Sequence, residues 1–203
     1  KSLIKEGVNP AEIDFFSHGT TVTTNALLEG KGAKVGLLIN QGFRAICEVQ
    51  TQARDQGNPF DHLFQRPQHI TPPSLTYEIP GRMDYKGREL EEVDLEAVAI
   101  ATKALLKKGV KSFTICYLFS YMNGSHERAT ALKIRELAPD AFVSISSDVL
   151  PRIREWPRYS TTLINAYLVP VLSRYVTDLA SGLDQQKVTT QRRFLMQSNG
   201  GVM

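Results

Sequence analysis

Cysteine is scarce in this chain, tryptophan is scarcer, and long apolar runs are missing altogether. Its 203 residues include two cysteines and one tryptophan. Cys47 and Cys116 lie far apart in apolar surroundings, so we expect buried, reduced thiols of a cytoplasmic protein and not a disulfide framework. Neither has a Cys or His at zinc-site spacing, and no metal site is expected. No apolar stretch approaches the ~20 residues that cross a bilayer, and the start, KSLIKE, lacks the long apolar segment of a secretion signal. We therefore expect no membrane. Charge of one sign is not concentrated either. The net charge is +3, and the nearest basic cluster, Arg152, Arg154 and Arg158, is interrupted by Glu155 and Pro157. Nothing here calls for nucleic acid. Also absent are Gly-x-Ser-x-Gly, Walker-type, His-Glu-x-x-His and paired-cysteine motifs.

What is present reads as an ordinary globular chain. The content is 42% hydrophobic and 22% charged, and the length suffices for one substantial core or two small ones. Residues 1–7 read as the end of a helix. A short aromatic, β-branched strand over 13–16 leads into His18, Gly19, Thr20 and Thr21. A helix follows with Val22, Ala26 and Leu27 at helical spacing, and Gly30 to Gly32 end it. Strands are expected over 34–39, 111–119, 141–146 and 193–197. A short helix is expected over 43–49. Asp94 caps a helix with Leu95, Val98, Ala101 and Leu105 on one face and Gly109 as its stop. Asn123 or Ser125 caps another, closed by Pro139. Pro157 opens a long helix, about 157–183, with Ile164, Leu168, Leu172, Val176, Leu179 and Leu183 on one face, and Pro170 is expected to kink it. Residues 50–81 carry five prolines and little periodicity, and read as a long loop. A small hairpin is expected over 77–90, with arms at 77–79 and 88–90. The alternation of strands and helices argues for an α/β protein with a largely parallel or mixed sheet and flanking helices.

Four stretches hold candidate functional residues. His18, Thr20, Thr21 and Asn25 crowd one strand-to-helix turn, where Gly19 lets the backbone come close and the helix's first N–H groups point at a ligand. Taken alone, a satisfied core histidine with a Thr cap is the better explanation of the turn, and the site reading gains only from the four hydrogen-bonding side chains crowded there. Ser120, Asn123 and His126 surround a second such turn, for which a plain helix cap is the better explanation. Glu155 and Arg158 are near enough to pair, and Thr161, Thr162 and Asn165 share a helical turn. These suggest a polar ligand or partner, or else a solvated face. Ser198, Asn199, Gly200 and Gly201 follow a strand as a turn that could cradle phosphate with backbone donors, and a plain turn explains the same residues.

In combination these stretches resemble a known family. HGTTVTTNALLEGKGAKVGLLINQGFR, then FSYMNGSHE, then SISSDVLPRIREWPRYSTTLINAYLVPVLSRY, and finally MQSNGG resemble, in that order, the N-terminal region of the hydantoinase A / 5-oxoprolinase family. The resemblance implies part of an actin-like ATPase or sugar-kinase-type fold, in an enzyme that uses ATP and Mg2+ to phosphorylate the carbonyl of a hydantoin-like or 5-oxoproline-like ring and open it. It implies His18, Thr20, Thr21 and Asn25 at the catalytic edge but assigns no general base. Of these, His18 is the residue suited to carry a proton, because the unperturbed pKa of imidazole lies near neutrality. Glu155, Arg158, Thr161 and Asn165 would be on the substrate side, and Ser198, Asn199, Gly200 and Gly201 on the nucleotide side. It also implies a small cyclic amide as substrate, a second, hydantoinase B-like subunit or domain, and an oligomer. The family's opening Asp-Thr-Gly-Gly-Thr-type phosphate loop and its downstream acidic glycine-rich motif are not in this sequence. We expect 1–203 to be a single α/β segment of a longer protein whose flanking ATPase lobes are missing, with no tightly bound ATP and no turnover of its own. Two alternatives stand beside this reading: a segment of an acetone- or acetophenone-type carboxylase subunit, and a non-catalytic assembly module.

Overall fold

A computed structural model describes residues 7, 9–50, 63, 70–197 and 201–202. The expected helix at 1–7, most of the loop read at 50–81, the Cys47 side chain, and Ser198, Asn199 and Gly200 lie outside the described residues. The chain divides into two compact units, Ala33–Val169 and the pair Lys1–Gly32 with Pro170–Met203.

The larger unit is built on a four-stranded parallel sheet in the order β3-β2-β6-β7. Its strands are β2 (Val35–Asn40), β3 (Thr76–Ile79), β6 (Ser112–Cys116) and β7 (Phe142–Ile145). Every residue of β2 and of β6 is buried, as expected of parallel strands covered on both faces. Alternation sorts their side chains. Leu38, Phe113, Ile115 and Tyr117 face a core shared with Val98, Ala101, Leu105 and Ile134. Those come from two helices, α3 (Leu95–Lys107) and α4 (Ser125–Leu137). Val35, Leu37, Ile39 and Cys116 face the other way, against Tyr159, Leu163 and Ala166 of the long helix α6 (Glu155–Gln185). Burying each such leucine or isoleucine is worth about 1.5–3 kcal/mol. Gly36 belongs to this packing, because a Cβ there would lie 2.8 Å from a Leu105 methyl.

Helix boundaries follow their caps. The Asp94 carboxylate accepts the Glu96 and Ala97 N–H groups, both at 2.9 Å, and Gly109 leaves α3 at φ +76°. Val98, Ala101 and Leu105 are buried as their spacing demands, whereas Leu95 in the first turn is exposed. Asn123 accepts the Ser125 N–H at 3.0 Å at the entry to α4. Two short helices, α2 (Ile46–Val49) and α5 (Ser146–Val149), complete this unit. Helix α6 begins at Glu155, two residues before Pro157. The proline thus falls in the first turn, where its missing N–H has no helical partner to lose. Pro170 sits inside α6, where the division between units falls.

One expected element is corrected. Residues 77–79 are not a hairpin arm but part of β3, in register with β2 from Leu37 opposite Thr76 to Asn40 opposite Ile79. The sheet edge buries Thr76 and Ile79 to 5% and 1% exposure, which an isolated two-stranded hairpin cannot do. The hairpin that forms is shorter, β4 (Arg82–Met83) against β5 (Glu89–Glu91). Its turn is organised by Asp84, whose carboxylate accepts the Lys86 and Arg88 N–H groups and the Arg88 guanidinium at 2.7–2.8 Å. Those bonds, the Arg88 N–H foremost, hold the Asp84 carboxyl below its ordinary range.

The smaller unit pairs β1 (Phe16–His18) in parallel with β8 (Arg193–Leu195). It also contains α1 (Val22–Leu28) and the second half of α6.

Candidate functional site

His18 stands at the carboxyl end of β1, opposite Leu195 of β8. The strand is pinned at both ends, by the Phe16 N–H to the Arg192 carbonyl at 2.9 Å and the Met196 N–H to the His18 carbonyl at 3.0 Å. Period two places Phe16 and His18 on one face, and their rings stack at 6.3 Å. The half-buried imidazole reaches α6, where its Nε2 lies 2.5 Å from the Tyr175 hydroxyl and the two rings stack at 5.8 Å and 28°. Phe16 also lines an apolar groove of about 210 Å³, closed by Val176, Leu179 and Leu183 of α6 and by Leu195.

The other residues of this turn make local bonds. Thr20 Oγ1 accepts the Val22 N–H at 3.2 Å, so one of the donors expected to face a ligand is already engaged. Thr21 is the N-cap residue but makes no side-chain cap bond. Its hydroxyl oxygen takes a long 3.5 Å contact from the Asn25 amide. Thr21 and Asn25 are exposed and Thr20 is half-buried. At Gly19 an added Cβ would meet only Met196 Sδ, at 4.0 Å. Packing within the described residues therefore does not require a glycine there.

The second group lies in the other unit, on the first half of α6. Arg158 is fully buried. Its Nη2 donates to the Tyr117 carbonyl at 2.6 Å, Nη1 donates to the Arg152 carbonyl at 3.4 Å, and the guanidinium lies 5.5 Å over the Tyr121 ring. Among the described residues no ion pair joins it to Glu155. The Tyr117 carbonyl draws the guanidinium inward, while Glu155 stays half-exposed one turn earlier. The Asn165 amide donates to Ser144 Oγ at 2.9 Å, Thr162 Oγ1 donates to the Arg158 carbonyl at 2.6 Å, and Ser112 Oγ donates to the Ala166 carbonyl at 2.6 Å. Thr161 points to solvent. Arg158, Thr162 and Asn165 thus form a polar seam against the sheet, while Thr161 stays on the solvated face that their spacing also allowed.

Sequence reasoning missed the carboxylate that completes this seam. Glu127, fully buried on α4, accepts the Tyr117 N–H at 2.9 Å, the Ser146 hydroxyl at 2.6 Å and the Ser147 N–H at 2.8 Å. Because the Ser146 proton goes to Glu127, Ser120 donates to Ser146 Oγ, at 3.0 Å. Asn40 adds a third hold, accepting the Leu118 N–H at 2.6 Å and donating to the Gly81 carbonyl at 2.7 Å. Next to this network burial pushes the Cys116 thiol up to about 11 and raises the Tyr117 phenol well above its ordinary value. His126 bonds Glu89 at 2.6 Å and Asn123 donates to the Gly87 carbonyl at 3.0 Å, so that turn serves the hairpin and the helix cap.

Of the third group only Gly201 is described. Its carbonyl accepts the Gln197 N–H at 2.7 Å, beside an antiparallel bridge between Met196 and Val202. Among the described residues no three of His, Cys, Asp and Glu come together as a metal site, and no helix is long and apolar enough to cross a membrane.

Comparison with known proteins covers both unit-forming stretches. A family model described as the hydantoinase/oxoprolinase N-terminal region matches residues 1–138, and one described as hydantoinase/oxoprolinase matches 158–203. The caprolactamase subunit alpha of Pseudomonas jessenii is 34% identical over 200 residues, 97% of this chain and 29% of that protein. The 5-oxoprolinase of Dictyostelium discoideum is 29% identical over 231 residues, covering 100% of this chain and 18% of that protein. The crystal structure of the ATP-dependent caprolactamase from Pseudomonas jessenii superposes with a TM-score of 0.89 at 34% identity, over 99% of this chain and 30% of that one. A nucleotide-free acetone carboxylase structure gives 0.84 at 20% identity over the same shares, a likeness of fold. The chain thus spans about three tenths of the caprolactamase subunit it matches.

Proposed function

This chain belongs to the hydantoinase/oxoprolinase family, and from that premise we propose that it forms part of an ATP-dependent hydrolase of cyclic amides. The observation that carries the reading is the imidazole of His18, held at the carboxyl end of a parallel strand by the Tyr175 hydroxyl. Ligands of α/β folds gather at such strand ends. Opening an amide ring needs an electrophilic carbonyl and a proton carrier for the attacking water. His18 is the proton carrier, because imidazole is the side chain suited to that task near neutral pH. Half-buried Thr20 and the exposed Thr21 and Asn25, around the same turn, are the hydrogen-bonding rim. Within the larger unit, Glu155 and Thr161 are candidate contacts for a polar ligand, and Arg158 and Asn165 act through the strands they hold.

ATP supplies the phosphoryl group that turns an amide oxygen into a leaving group, and Mg2+ offsets the charge on the phosphates. The described residues of this chain do not by themselves make that nucleotide site. Ser198, Asn199, Gly200 and Gly201 are its proposed contribution, with the remainder supplied by the longer protein of which 1–203 is one α/β segment. The actin-like ATPase or sugar-kinase-type fold belongs to that longer protein. A cytoplasmic assembly with a second, hydantoinase B-like subunit follows the same reading. It is supported by a relative named as a subunit and by the buried Cys116 thiol.

The test is ADP release by the full-length protein with its co-purifying subunit, offered hydantoins, 5-oxoproline, caprolactam and simple ketones, with and without bicarbonate. Release driven by a cyclic amide alone supports the hydrolase. Release that needs ketone and bicarbonate together moves the protein to the carboxylase branch, and silence across the panel favours an assembly role.

A further inference from the structure

We propose that Tyr175 is the positioning residue of the His18 site, its hydroxyl oxygen accepting the Nε2–H of His18 so that Nδ1 is the atom that carries the proton. The proposal rests on the reading of His18 as proton carrier and adds a residue to that same site. Tyr175 lies 157 positions from His18 in the chain, yet its oxygen is 2.5 Å from Nε2, with the rings stacked. Among the described residues no other side chain bonds this ring.

The contact is held by rigid elements. Val176, Leu179 and Leu183, on the same stretch of α6, line one apolar groove with Phe16 and Leu195. The end of α6 is clamped to β8 by Arg193, which donates to the Asp184 carboxylate at 2.7 Å and to the Val188 carbonyl at 2.6 Å. Stacking holds the ring plane, and the proposed sense of the bond, with the tyrosine oxygen as acceptor, sets the tautomer of the imidazole. A neutral imidazole has one N–H and one lone pair, so engaging Nε2 as the donor leaves the lone pair on Nδ1. In the reaction one O–H bond of water breaks and its proton forms the Nδ1–H bond, while the oxygen forms the new bond to the activated amide carbon and the π pair of that carbon moves onto the ring nitrogen. The resulting imidazolium is held through its Nε2–H by the same tyrosine oxygen.

The experiment uses the full-length assembly with Tyr175→Phe, His18→Ala and the double variant. Turnover is measured as ADP release with caprolactam, 5-oxoproline and hydantoin, together with 15N spectra of histidine-labelled protein. Tyr175→Phe keeps the ring and its stacking and removes only the oxygen. We expect kcat to fall about 10- to 100-fold with KM within about twofold, no further loss when His18→Ala is already present, and the His18 signals to move from the Nε2–H tautomer toward a mixture. Wild-type kcat in Tyr175→Phe beside an inactive His18→Ala overturns the proposal and leaves the site reading standing. An equal additional loss in the His18→Ala background, or an unmoved His18 tautomer, also overturns it. A fully active His18→Ala overturns the site reading and the proposal together.

Discussion

Glu127 and Arg158 grip the same residue from opposite poles: the carboxylate accepts the Tyr117 N–H at 2.9 Å and the guanidinium donates to the Tyr117 carbonyl at 2.6 Å. Both side chains are fully buried, and with Asn40 on the Leu118 N–H they fix the path of the chain as it leaves β6. Two residues on, Phe119 is in the left-handed region at φ +55°. A non-glycine residue adopts that conformation at a cost and keeps it only where its surroundings over-determine it.

Removing either pole leaves a buried main-chain group unsatisfied. Arg158→Met and Glu127→Leu should each lower stability by at least about 1.5–3 kcal/mol, the range for one lost hydrogen bond to a charged group. Because both act on Tyr117, the double variant should depart from additivity by at least about 0.5 kcal/mol. Urea midpoints at unchanged slope measure all three, and strict additivity would show that the two side chains act separately.

Cys116 should resist alkylation in the folded protein. It is 3% exposed, and desolvation raises its thiol from 9.0 to about 11, so the reactive thiolate is suppressed near neutral pH. A raised acid stabilises the fold fully below its unfolded value and loses that contribution as pH climbs from 9.0 toward about 11. Mass spectrometry of the Cys116 peptide after iodoacetamide treatment should show modification only once urea unfolds the chain. Rapid labelling at pH 7.5 without urea would contradict the burial described.

The two glycines flanking the sheet core should differ in tolerance. Gly81 has φ +134°, and an added Cβ would lie 2.8 Å from the Val93 Cα. Gly81→Ala should therefore cost about 2–4 kcal/mol from strain and backbone collision combined. At Gly36 the crowding atoms are Leu105 and Val110 methyls, which can shift, and Gly36→Ala should cost about 1–3 kcal/mol. Paired thermal and urea unfolding of the two variants checks the order, and a reversed order would mean the core yields less than the turn.

Sheet and helices were legible where one local pattern decided the outcome. The apolar runs of β2, β6 and β7 and the Asp94 cap sit in the structure near where period and caps put them. The stripe read on α6, by contrast, lines a groove only at Val176, Leu179 and Leu183. The first half of the helix turns Tyr159, Leu163 and Ala166 to the sheet in place of Ile164 and Leu168. The reading failed at Tyr77, whose short strand suits a hairpin or a sheet edge equally. The choice is made by β2, some forty positions earlier, offering an unpaired edge. It was incomplete along α6, because nothing in the spacing of Arg158, Thr162 and Asn165 tells that Tyr117, Ser112 and Ser144 wait on the sheet. Of the His18 turn, the residues and the strand end were readable. Tyr175 was not, since a tyrosine beside an apolar helical stripe carries no mark of the histidine it meets.

The pairing of β1 with β8 sets an order of events during synthesis. The Thr190 hydroxyl closes on the Asp14 carbonyl at 2.7 Å across 176 positions of chain, whereas the last strand of the parallel sheet ends at Ile145. At about 5–20 residues per second, β1 is without its partner for roughly 9–35 s after it is made. The parallel sheet is complete before that wait is over. A ribosome that stalls between Ile145 and Tyr175 would therefore release a chain with all four sheet strands and a histidine without its tyrosine.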